Sequence, residues 1–148
     1  MSIPVETGFE FTLHVRDNCL CLHVQRAARA LARHFDVAFK PLGITHGQYS
    51  LLNSLNRPQP ASMTSVATLL AMDRTTLTAN LKVLERKGFV TIATNKEDKR
   101  SRLLSLTAAG KALLKEAAPI WKKEHGAIER LLDKPTPDQL RSALVKLS

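Results

Sequence analysis

Eleven residues between Arg74 and Arg102 carry side chains suited to reading or gripping a nucleic acid. Arg74, Thr75, Thr76, Thr78, Ala79, Asn80, Lys82 and Arg86 lie on one segment, and Asp98, Arg100 and Arg102 on the next. Leu77, Leu81 and Leu84 recur at helical spacing through the first segment. With those leucines facing a core, a rotation of 100° per residue puts Thr75, Ala79, Lys82 and Arg86 on the opposite, solvent-directed side, flanked by Thr78 and Asn80. Such a face suits a DNA major groove. Thr and Ala methyls can touch thymine methyls, Thr hydroxyls can bond base edges, and Lys can reach guanine. Arg86, near the helix end, suits a phosphate instead. From Arg74 to Arg102 there are eight Lys or Arg against three acidic residues, a balance of +5. The competing reading of the same residues is an ordinary solvated helix face with basic decoration.

The flanking sequence supplies the elements that would hold this face out. Asp73 can cap the helix that carries it, and Gly88 ends it. Just before, Ser62 can cap a short helix with Val66, Ala67 and Leu70 inward, and only Ala71 and Met72 separate the two, the arrangement of a helix-turn-helix. Further upstream, Thr45 and Gln48 form a capping box, with Ile44 placed to staple against Tyr49. Leu51, Leu52 and Leu55 line the helix that follows, up to a turn at Arg57 to Ala61 imposed by Pro58 and Pro60. Phe89 to Thr94 and Leu103 to Leu106 read as two strands of a β hairpin whose charged tip is too polar to be buried. An arginine on so thin a loop can enter a narrow minor groove, which makes Arg100 the candidate and gives Asp98 the role of pairing with an Arg to hold it in place.

Outside this block, Val24, Ala28, Leu31, Phe35, Ala38 and Leu42 predict one long amphipathic helix from Asp17 to the break at Pro41 and Gly43. Residues 9 to 15 alternate apolar and polar, and read as an extended arm. Thr107 caps a helix whose period, Leu113, Ala117, Ile120, Ala127 and Leu131, continues across Pro119, where a kink is expected. Thr136, Pro137 and Gln139 open a last helix lined by Leu140, Leu144 and Leu147. The predicted fold is mainly α with a small β hairpin wing: a winged helix-turn-helix flanked by N- and C-terminal helices. Its segments are an arm at 1–16, a helix at 17–43, the DNA-binding region at 44–106 and C-terminal helices at 107–148.

The bulk properties agree. The 148 residues carry 22 Lys or Arg against 13 Asp or Glu, a formal charge of +9, which attracts a polyanion such as double-stranded DNA. The only cysteines are Cys19 and Cys21, too close for a structural disulfide, so the framework of a secreted mini-protein is missing. No apolar run approaches the ~18 residues of a membrane span, and a cytoplasmic location fits. No phosphate-binding glycine loop, zinc helix motif or serine elbow is present, so an enzyme and a cofactor are not expected. Nor is a metal: among His14, Cys19, Cys21 and His23, the two cysteines would point about 160° apart on a helix. Two other readings stay open, a nonspecific architectural DNA binder and a protein-interaction module in which the basic helix meets an acidic partner.

Two stretches resemble the MarR family of multiple-antibiotic-resistance regulators: Met72 to Val90, and Asp98 to Gly110, which follows at wing distance. The resemblance implies a homodimer in which the long first helix and the last two helices of each chain interlock, so that the N-terminal helix at 17–43 and the C-terminal helices at 107–148 form a dimerisation region. It also implies a pseudo-palindromic operator read by paired helices, Arg100 as the wing arginine, and repression relieved by a small aromatic anion or an oxidant. Asp17 to Leu22 is similar to the start of the family's organic-hydroperoxide sensors, which implies Cys21, with Cys19 beside it, as the redox candidate. Where those sensors carry thiol-supporting tyrosines, this chain has Gln25 and Phe35. The same architecture suggests a ligand pocket in which Arg29, His46 and Trp121 would surround an aromatic anion.

Overall fold

The structure, a computed structural model, describes residues 8–148. They fall into two compact units, one ending at His34 and the other running from Phe35 to Ser148.

In the first unit, the stretch expected to be an extended arm is instead a helix, α1 (Phe9–Asn18). The residues of that expected arm before Gly8 lie outside the described residues. A short alternating run with no neighbouring strand leaves its backbone N–H and C=O groups unpaired, whereas a helix satisfies them internally. Glu10 in the first turn and Arg16 in the last match the helix dipole. Cys19 then turns extended (ψ 112°) while its N–H still reaches the Val15 carbonyl, so α2 (Leu20–Phe39) starts at Leu20 rather than Asp17. α2 leaves Leu20, Val24 and Leu31 exposed.

The second unit contains the core. After the end of α2 and a single 3-10 turn (Lys40–Leu42) come α3 (His46–Ser54), β1 (Ala61–Ser62), α4 (Met63–Leu70), α5 (Arg74–Arg86), β2 (Val90–Thr94), β3 (Arg102–Leu106), α6 (Ala108–Glu129) and α7 (Pro137–Lys146). Each α-helix that starts in this unit has its cap. Gln48 N–H donates to Thr45 Oγ1 while Thr45 N–H donates to Gln48 Oε1, and Thr136 with Gln139 repeats this box. Phe39, Leu51, Leu52, Val66, Leu77, Leu81, Leu84 and Leu104 are fully buried together, and the Tyr49 ring rests on Phe39 at 4.5 Å. α6 is continuous across Pro119.

The sheet has three strands rather than the two of a plain hairpin. Their order is β1-β3-β2, all antiparallel, with Ala61 opposite Leu104 and Val90 opposite Leu106. β1 falls at the end of the segment read as a turn. Two residues after a pair of prolines have no strand period of their own, and β1 forms only because β3, some forty positions later, offers a free edge. α7 buries no residue, and Leu144, Val145 and Leu147 are exposed.

Candidate nucleic-acid interface

α4 and α5 are joined by a turn with little freedom. Ala71 takes up the left-handed conformation (φ 50°, ψ 44°), its N–H donating to Thr68 O and that of Met72 to Ala67 O, the paired bonds of a Schellman ending. Asp73 follows at once as the cap of α5. Its Oδ1 accepts the Thr76 N–H and its Oδ2 the Thr76 hydroxyl, both at 2.8 Å. The backbone bond, followed by the hydroxyl bond, holds the Asp73 carboxyl below the ordinary carboxylate range. A carboxyl depressed in the folded state stabilises above its unfolded pKa, and that contribution is lost as pH falls through the folded value, below about pH 4. Asp73→Ala is therefore expected to lower the melting temperature by a few degrees at pH 7, with the gap to wild type narrowing in acid. Parallel thermal melts at pH 7 and pH 3 measure this, and equal gaps at both would contradict it.

On α5, Leu77, Leu81 and Leu84 are buried as the period requires, which fixes the opposite side outward. Arg74, Thr75, Thr78, Ala79 and Lys82 together line one open concavity on that side. Two of the predicted residues spend their hydroxyls locally: Thr76 donates to the cap, and Thr78 Oγ1 donates to Arg74 O at 2.7 Å. Asn80 is half-buried, with its amide directed at Met72 Sδ, and so supports the turn rather than the open face. Arg86 is exposed in the last turn.

The wing tip is held by three side chains. Asp98 Oδ1 accepts the backbone N–H of Arg100 at 3.1 Å, so Asp98 positions Arg100 through the main chain and not through the expected pairing with an arginine side chain. Arg102 folds back, its Nη1 donating to Lys99 O and Ser101 O. Asn95, which the sequence does not single out, closes the loop with its amide on Ser101 Oγ and its Oδ1 accepting from Glu97 N–H. Among the described residues, the Arg100 side chain makes no such bond and is exposed at the tip.

The base of the wing is as tightly specified. Thr107 Oγ1 donates to Gly88 O at 2.6 Å and accepts the Gly110 N–H, while Thr107 N–H donates to Phe89 O. The Phe89 carbonyl sits where a Cβ on residue 110 would be, so only glycine fits there.

The redox and pocket candidates are distributed differently. Cys19 and Cys21 are free, Cys21 is exposed, and the Gln25 amide faces Cys21 Sγ at 3.8 Å. Arg29 lies in the first unit, bonded to Gln25 Oε1. His46 is engaged with Asp36, whose Oδ1 accepts its backbone N–H at 2.7 Å. Trp121 lines a shallow groove with Tyr49, Ser50, Asn53, Ser54 and Leu69, its ring stacked on His125 at 4.3 Å. The groove is lined without His46. Among the described residues, no group of His, Cys, Asp and Glu side chains could hold a metal ion, and no helix is long and apolar enough to cross a membrane.

A model of the MarR family matches residues 44–101. An organic hydroperoxide resistance transcriptional regulator of Bacillus subtilis (strain 168) is 35% identical over 102 residues, spanning 69% of each chain. The M. tuberculosis transcriptional regulator MosR, solved in complex with DNA, superposes with a TM-score of 0.80 at 32% identity, over 88% of this chain and 93% of that one. A mutant MarR of E. coli, complexed with operator DNA, also gives 0.80 at 24% identity, over 91% of this chain and 97% of that one, a likeness of fold.

Proposed function

From the premise that this chain belongs to the MarR family of DNA-binding transcriptional regulators and is not an enzyme, we propose that it is a cytoplasmic homodimeric repressor. It reads a pseudo-palindromic operator with α5 in the major groove and Arg100 in the minor groove. The observation that carries this is the single outward surface formed by Arg74, Thr75, Thr78, Ala79 and Lys82, with a braced wing whose tip arginine makes no side-chain bond among the described residues. Selection from a pool of random duplexes tests it: an enriched inverted repeat is expected, and an unenriched pool would leave only nonspecific binding.

The dimer rests on apolar surface that one chain leaves open on its terminal segments. Leu20, Leu131, Val145 and Leu147 are each more than 60% exposed, and Leu144 is 40% exposed. Helices α2, α6 and α7 of two copies would cover such surface by interlocking, and the segments 17–43 and 107–148 are in this sense dimerisation regions. Leu144→Asp places a charge in that interface. It is expected to yield monomers by light scattering at micromolar concentration, and a dimer of wild-type mass would remove α7 from the interface.

Relief of repression would come from oxidation of Cys21 or from a small aromatic anion. Exposure of Cys21 and its contact with the Gln25 amide support the first, and the Trp121 groove, with its aromatic wall and the amide of Asn53, supports the second. The likeness to a hydroperoxide resistance regulator favours the oxidant. Release of bound DNA by cumene hydroperoxide, abolished in Cys21→Ser, is the expected result. Release that persists in the variant would transfer the role to Cys19.

A further inference from the structure

One face of α2 is unusually basic. Arg26, Arg29 and Arg33 are exposed, and with His23, Ala27 and Ala30 they line a shallow open strip. At 100° per residue the three arginines fall within about 60° of arc, centred opposite the stripe of Leu20, Val24 and Leu31. A second copy could cover the apolar stripe and leave the arginines in water. Arg29 Nη2 donates to Gln25 Oε1 at 3.0 Å, and among the described residues no carboxylate pairs with any of the three. Among the described residues, the helix therefore presents three charges in a row that no carboxylate pairs.

We propose that the Arg26, Arg29 and Arg33 face is a second contact for duplex DNA, gripping backbone phosphates in addition to the α5 and wing surface. A protein partner would need apolar anchors, and between the arginines the strip offers only the methyls of Ala27 and Ala30. A small anion would gain little from guanidiniums so open to water. A polyanion differs, because release of its condensed counterions drives binding to exposed cations without burial. The dimensions suit it: seven residues of helix rise about 10 Å, against a rise of about 3.4 Å per phosphate along one strand. Guanidiniums also take phosphate oxygens in pairs, with the planar geometry that ammonium groups lack.

The test is the salt dependence of binding by the full chain to a duplex of about 60 base pairs carrying the region upstream of its own gene. Each phosphate contact contributes about 0.9 to the slope of log affinity against log salt. Replacing Arg26, Arg29 and Arg33 together by Gln, which keeps helix propensity, is expected to reduce the slope by at least about two. Replacing them by Lys should restore most of it. Arg29→Gln alone should remove about one, which keeps the measurement informative if the triple variant folds poorly. The control changes Lys122, Lys123 and Lys146 to Gln, an equal change in net charge elsewhere. A loss no greater than in that control, or no loss at all, overturns the proposal while leaving the regulator intact. The proposal rests on DNA binding by this chain, and wild-type protein that fails to bind the duplex would overturn both.

Discussion

Gly110→Ala lowers the melting temperature by about 2–8 °C, although alanine is the better helix former. Gly110 lies in the first turn of α6, and its missing side chain admits the Phe89 carbonyl just before β2. An added Cβ meets backbone there, which cannot rotate away as a flexible side chain would. Overpacking of this kind costs about 1–3 kcal/mol, and the helix-propensity gain of up to about 1 kcal/mol offsets only part of it where α6 and β2 must also separate. At about 2–4 °C per kcal/mol for a chain of this size, several degrees are lost. The same displacement would pull Phe89 O from Thr107 N–H and Gly88 O from the Thr107 hydroxyl, so DNA affinity should fall with stability. Gly126→Ala is the contrasting case: its Cβ would meet nothing nearer than Arg130 Nη1 at 3.5 Å, and the substitution should be neutral or stabilising. Thermal melts of both variants at one protein concentration decide the matter. Equal melting temperatures would show that the wing base is not held as described.

The second large effect is expected from Arg100→Ala. Asp98 and the turn hold its main chain, and its guanidinium makes no bond within the described residues, so its removal is expected to leave the fold and the proposed dimer untouched. What is lost is an exposed cation at the wing tip, of the kind that the negative potential of a narrow minor groove attracts. A loss of about tenfold in DNA affinity at moderate salt, and a salt slope reduced by about one, should appear in anisotropy titrations. Unchanged binding by a dimeric Arg100→Ala protein would exclude the wing from the interface.

Where the order was written into local chemistry, it was legible in the sequence. Asp73 with Leu77, Leu81 and Leu84 defines both the start and the buried side of α5, and the Thr45–Gln48 and Thr136–Gln139 boxes mark two helix starts in residues alone. What depended on distant neighbours was not. Residues 9 to 15 have a strand's alternation, but a strand exists only with a partner, and α1 is the outcome without one. β1 is the converse, a strand with no signal of its own.

The site divides the same way. The outward direction of Thr75, Ala79 and Lys82 follows from rotation about a helix whose buried side is known. Which side chains are spent on the protein itself does not, because Asn80, Asp98 and Arg102 are engaged by atoms whose positions follow from the turn and the wing tip. Gly110 is the sharpest instance. Nothing in its sequence neighbours announces that a carbonyl from before β2 occupies the place of its side chain.

The central claim is that α5 reads base sequence and does more than bind phosphate. Its most direct test is fluorescence anisotropy with the duplex upstream of the protein's own gene and a scrambled duplex of equal length and composition, each at two salt concentrations. Affinity for its own duplex should be greater at both salts, with the ratio collapsing towards unity when Thr75 and Lys82 are both changed to Ala. Equal affinity for the two duplexes, falling together as salt rises, would contradict sequence reading at this site and leave a protein that holds DNA by charge.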